Sequence, residues 1–196
     1  MPNVHQIMGI AAGIVSLIAF IPYITSTIRG NTKPNRATWW IWTVVGVLLA
    51  SSYRYSGATN TIWVSISYIL GPFVAALVSI KYGEGGWTRL DRCCILGALV
   101  SLGLWWFFDS ALIGLIAGLF IDFFGSIPTI RKSYLEPGKE NRLAWMLAFS
   151  ANAINLFAID KVDFVLMIYP LYMFIAVGVI TVLVVCPRKH KGRKIK

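Results

Sequence analysis

IPYITSTIRGNTKPNRATW, residues Ile21–Trp39, has a second version further along the chain. Adding 106 to each position leads without a gap to IPTIRKSYLEPGKENRLAW at Ile127–Trp145. Pro22 meets Pro128, Lys33 meets Lys139, and the NRxxW run at 35–39 meets its counterpart at 141–145. Each copy leaves an apolar segment through a proline, crosses a basic loop and re-enters an apolar segment at a tryptophan. Two such copies predict two homologous halves, which in membrane proteins commonly form the two sides of a transport path.

Outward from this motif the chain is apolar. It is 57% hydrophobic and 13% charged, with a mean hydropathy of +0.70; a soluble globular domain carries about 25% charged residues. Apolar runs recur at about 8–28, 37–53, 61–80, 93–108, 110–130, 143–159 and 164–186, and a helical span needs roughly 17–25 residues. The reading is an all-α polytopic membrane protein with seven transmembrane helices and no soluble domain.

The net charge of +10 does not point to nucleic acid, because of where it lies. Sixteen of the 18 basic residues fall after the first, third, fifth and seventh runs, leaving Arg54 and Lys161 opposite. The positive-inside rule then predicts the N-terminus outside and the C-terminus in the cytoplasm, with a bacterial plasma membrane as the expected setting. The tail PRKHKGRKIK serves orientation, or attracts anionic headgroups. No cleavable signal peptide is expected, since Met1–Gln6 holds no Lys or Arg. Cys93, Cys94 and Cys186 form no CxxC and have no histidine cluster beside them, so the expectation is reduced packing residues, no metal and no cofactor.

The duplication sets the domain plan. Residues 1–82 form a first three-helix unit. Residues 83–109 supply a glycine-rich linker and a fourth helix without a counterpart. Residues 110–186 form the second unit, and 187–196 the basic tail. An unpaired helix between two triplets of odd length leaves the triplets parallel rather than inverted, a 3+1+3 plan.

Polar and breaking residues inside the spans are the candidate site. Gly114, Gly118, Asp122 and Ser126 recur every four residues, one helix face of small, small, acidic and hydroxyl groups. Asp122 is the only charged residue in the seven runs; lipid exposure would cost about 2.5–3.5 kcal/mol, so it must face the bundle or a cavity. The repeat sets it opposite Ser16. Asn152 and Asn155 share a face of the sixth span, where they either glue helices or line a site. Ser67, Tyr68 and Tyr169 complete the substrate-binding candidates. Pro22 and Pro128 match by the repeat, Pro72 and Pro170 nearly so, and all four are candidate hinges. Trp39 and Trp145 are read either as an interfacial aromatic belt or as a gate, and Arg36 and Arg142 either as solvated charge or as a latch pairing with Glu140 or Glu136.

The 3+1+3 layout, the paired prolines and the N-out, C-in topology resemble the SWEET and PQ-loop transporter superfamily. The family's proline-glutamine dipeptide is replaced by Pro22-Tyr23 and Pro128-Thr129. GVLLASSY at 46–53 resembles the second helix of bacterial half-sized sugar transporters, whose substrate tryptophan would fall on Ala50 and, in the second half, on Leu156. Their substrate asparagine would fall near Ser67. The resemblance implies a small-solute transporter working by alternating access, with a sugar, a nucleoside or vitamin, or an amino acid as substrate and a proton as candidate coupling ion. A receptor or sorting protein on the same fold, binding a ligand without moving it, is the alternative, and homo-oligomerisation stays open. An enzyme is not expected: His5 and His190 stand at opposite ends, without a Ser-His-Asp set, HExxH or phosphate loop.

Overall fold

The computed structural model describes residues 3–84, 88–108 and 110–187. Among the described residues seven α-helices follow one another: α1 (Val4–Ile28), α2 (Arg36–Tyr55), α3 (Ile62–Tyr82), α4 (Arg89–Phe108), α5 (Ala111–Leu135), α6 (Arg142–Leu156) and α7 (Phe164–Val185). A single 3-10 turn, Pro137–Lys139, stands between α5 and α6. Among the described residues there is no strand, only one isolated bridge between Asn35 and Glu84.

Among the described residues four helices are long and apolar enough to cross a membrane: Val4–Ile28, Ile62–Tyr82, Leu112–Leu135 and Phe164–Val185. Their outer faces are apolar where a soluble protein would be polar, as at Ile10, Ile14, Leu17 and Ile21 on α1, which is the signature of lipid as solvent. This is an all-helical membrane protein. The sixth run is cut short, because α6 has 15 residues, about 22 Å of helix against a hydrocarbon core of about 30 Å.

The repeated NRxxW run explains where α2 and α6 begin. Asn35 accepts a hydrogen bond from the Thr38 amide at 3.0 Å, and Asn141 one from the Ala144 amide at 2.9 Å. Each asparagine thus satisfies a free amide of the first turn.

The packing is simple to state. α3 lies against both α1 and α2, and α7 against both α5 and α6. Two long seams join these groups, α1 with α6 and α2 with α5. α4 lies along α5 and touches α2. Glycine permits a close crossing of α2 and α3: a Cβ on Gly46 would stand 2.3 Å from the backbone oxygen of Tyr68.

The four prolines lie inside α1, α3, α5 and α7. Cys93 and Cys186 are exposed rather than packed, a correction to the sequence reading; each sits at a helix end, Cys93 in the first turns of α4 and Cys186 just past α7. The side chain of Cys94, residues 85–87 of the linker and the tail from 188 on lie outside the described residues.

Candidate functional site

Where the two seams meet, the helices enclose a narrow cavity of about 60 Å³, with a lining that is almost all apolar. That is room for about four or five waters. Its walls come from α1, α2, α3, α5, α6 and α7, with Trp42, Tyr68, Tyr169 and Met173 among the bulky groups. Asp122 is the one carboxylate among the lining residues, and Ser126 stands one turn beyond it.

Asp122 reaches this position because the small face of α5 turns inward. Gly118, one turn earlier, packs so tightly on Leu49 that a Cβ would meet the Leu49 Cδ2 at 2.5 Å. The Tyr172 hydroxyl donates to Asp122 Oδ2 at 2.7 Å, and Trp42 Nε1–H donates to the Asp122 carbonyl at 3.4 Å. A buried carboxylate needs a donor such as Tyr172, since leaving it bare in an apolar wall is expensive.

At the end toward the basic loops an aromatic cluster closes the cavity. Tyr23 lies tilted against Trp39 with ring centres 4.9 Å apart and meets the edge of Trp145 at 6.4 Å. Trp42 touches both tryptophans, at 5.1 and 6.4 Å. Trp39 Nε1–H donates to the Tyr23 hydroxyl at 3.2 Å. Trp145 Nε1–H instead donates to Glu140 Oε2 at 2.8 Å.

Glu140 ties that cluster to a buried ion pair. Its other oxygen accepts from Lys132 Nζ at 2.5 Å, and Lys132 also donates to the Lys33 carbonyl. Glu84, at the end of α3, lies 3.8 Å from Lys132 and 3.2 Å from Lys139. Lys139 pairs with Glu136 at 2.5 Å as well. Hydrogen bonds to Glu136 and Glu84 hold its ammonium above the usual lysine range. The two repeated loops also join directly, the Lys33 amide donating to the Lys139 carbonyl at 3.2 Å.

The opposite end is closed by neutral groups. Tyr53 donates to the Leu166 carbonyl at 2.7 Å, with the Thr61 hydroxyl also at 2.7 Å. Its ring centre is 5.0 Å from that of Tyr169. Farther out, Asn60 Nδ2 donates to Asp160 at 2.9 Å, and His5 Nδ1 lies 3.0 Å from the Phe157 carbonyl.

The residues singled out by sequence therefore separate into groups. Asp122, Tyr68 and Tyr169 line the cavity, as do Pro72, Trp39 and Trp145. Ser16 and Ser67 are both buried but bond to each other at 2.5 Å between α1 and α3, and neither is among the lining residues. Asn152 acts behind the wall, donating to the Tyr68 hydroxyl and to the Ala148 carbonyl, each at 2.8 Å. Asn155 is buried off the cavity, and its Oδ1 has no partner among the described residues.

The expected arginine latch takes a different form. Arg36 Nε donates to the Ser79 carbonyl at 2.9 Å, where the negative end of α3 attracts a cation. Arg142 is exposed. The partners of Glu140 and Glu136 are lysines. The tryptophans of the run Trp39-Trp40-Ile41-Trp42 also divide, with Trp39 4% exposed and Trp40 41%. Residues 39 and 42 share a helix face, while 40 is turned about 100° away from 39.

Tyr23, Tyr172, Lys132 and Glu84 were missed, and Glu140 was read only as a partner for arginine. The repeat held a usable signal for two of them: Lys132 replaces Ser26 and Glu140 replaces Pro34, so charge enters the second loop where the first has none.

Among the described residues, no three His, Cys, Asp or Glu gather as a metal-holding group. In comparisons with known proteins, no family model, no curated protein and no solved structure matches the chain. What the fold and the cavity define is a class: a helical membrane protein with an aromatic, carboxylate-bearing cavity between its helices.

Proposed function

We propose that this chain is a small-solute transporter that works by alternating access, with the cavity around Asp122 as its central site. The observation that carries the proposal is the cavity itself. It lies between helix groups, bears one carboxylate in an apolar wall, and is closed at both ends by contacts that differ in kind.

The pattern of helix contacts supports two parallel three-helix repeats. Exchanging the halves turns α1 against α3 into α5 against α7, and α2 against α3 into α6 against α7. It turns α1 against α6 into α5 against α2. Each of these pairs is in contact, as expected for halves related by an axis along the membrane normal. α4 then bridges the halves outside this set. With the basic loops in the cytoplasm, the Tyr23–Trp39–Trp42–Trp145 cluster and the Lys132–Glu140 pair close the cytoplasmic side, and Tyr53, Tyr169, Asn60 and Asp160 the outer one.

The substrate is a sugar, a nucleoside or vitamin, or an amino acid. A cavity of about 60 Å³ must widen to take any of them, so rocking of the two triplets about Pro22, Pro72, Pro128 and Pro170 belongs to the proposal. Asp122 is the group in the wall able to carry a proton, which makes proton coupling part of it too.

The test is a stability screen of purified protein against those three ligand classes, followed by flux into vesicles. A ligand that binds only the folded state raises the unfolding temperature. Binding of one class, with saturable flux that Asp122→Asn reduces, is the expected result. Binding without flux would favour a receptor, and no binding in any class would remove the small-solute reading.

A further inference from the structure

We infer that the open seam between α1 and α6, at the basic end of the molecule, is a binding site for one anionic phospholipid. The two seams differ in what covers them. The α2–α5 seam has α4 alongside it, packed on α5 and touching α2. Among the described residues only α3 lies against the α1–α6 seam, packed on α1 and touching α6, and a groove of about 440 Å³ opens on the seam without any α3 residue in its wall.

The chemistry of the groove is graded along its length. Its inner part is walled by Ile18, Ile21, Leu143 and Leu147. Ile21 is 63% and Leu143 56% exposed. Its outer part carries Arg29, Asn31 and Thr25. Among the described residues the side chains of these three make no hydrogen bond or ion pair. No carboxylate lines the groove, so the Arg29 guanidinium faces it unneutralised.

Length selects the ligand. Eleven residues separate Ile18 from Arg29, about 16 Å along a helix, against about 15 Å for half of a hydrocarbon core of about 30 Å. An acyl chain therefore fits along the isoleucines and leucines while the phosphate reaches Arg29, with amide and hydroxyl donors beside it. A free phosphate would use only the outer third of the groove and leave the apolar part open. The bound lipid would fill this seam as α4 fills the other. The site does not depend on what the central cavity carries.

The experiment is native mass spectrometry of the full chain released from detergent after titration with phosphatidylglycerol or phosphatidylcholine. Retention of one phosphatidylglycerol, about fivefold stronger than phosphatidylcholine, is expected from one basic residue at the membrane surface. Arg29→Ala should lose that preference, while Arg131→Ala, an exposed cation elsewhere on the same side, should keep it. Leu143→Trp should fill the groove and lower retention of both lipids without changing the charge. Equal retention of the two lipids by the parent chain, or an unchanged preference in Arg29→Ala, would overturn the assignment. So would competition by millimolar glycerol phosphate, which would mark a headgroup site without a chain groove.

Discussion

In the first loop the Ser26 hydroxyl bonds to the Thr32 hydroxyl at 2.7 Å and Pro34 precedes the asparagine cap of α2. In the second, Lys132 stands at the position of Ser26 and Glu140 at that of Pro34, and the two make a buried ion pair before the asparagine cap of α6. The same divergence runs inward, where Asp122 faces Ser16 across the repeat and Asn152 faces Gly46. The residues the copies share determine backbone path: proline, cap asparagine and re-entry tryptophan. Among those they do not share, Lys132, Glu140, Asp122 and Asn152 bring charge or hydrogen bonds to the second half, while Arg29, opposite Leu135, brings charge to the first.

The comparison can be broken most severely at Glu140. Glu140→Gln leaves the buried Lys132 with only the half-buried Glu84, 3.8 Å away, as counter-charge and should cost up to about 3 kcal/mol of stability. Thermal unfolding in detergent would read this, and Lys132→Ser added to it should recover part of the loss. If the single variant unfolds like the parent, the pair is ornamental.

The glycine of the first half offers a somewhat smaller effect. Gly46→Ala forces a Cβ against the Tyr68 carbonyl and should cost about 2 kcal/mol through a displaced α2–α3 crossing. The same unfolding assay checks it. Making the second half resemble the first at the matching site, by Asn152→Gly, strips the Tyr68 hydroxyl of its donor. About 1–2 kcal/mol should go with the lost hydrogen bond and the glycine in mid-helix, together with any tyrosine-dependent ligand binding, read by titration.

The smallest effect belongs to Lys139. Its folded pKa is raised by Glu136 and Glu84, so its contribution is fully present below the unfolded lysine value of about 10.4. That contribution is lost only as pH rises through the folded value. Between pH 6 and 8, Lys139→Met should therefore shift stability by about 0.5 kcal/mol or less, because the side chain is solvent-screened. A pH series of unfolding temperatures would detect any larger change.

Helix existence was readable before any packing was known, since apolar runs and cap residues are local properties. Helix extent was less so: α6 stops at Leu156, where the apolar run continues to 159. The inward position of Asp122 was legible from spacing and cost alone. The company it keeps was not, because Tyr172 lies 50 positions away and Trp42 lies 80.

By itself the amino-acid sequence determined the all-helical membrane character, the repeated motif and the loops that carry the charge. Composition, periodicity and loop content are summed along the chain and need no partner. Only the tertiary structure decided that Ser16 and Ser67 satisfy each other away from the cavity, that Asn152 holds a wall tyrosine, and that lysines rather than arginines pair with Glu140 and Glu136. Hydrogen bonds and ion pairs depend on angles and distances of about 3 Å, and those exist only once the helices have crossed.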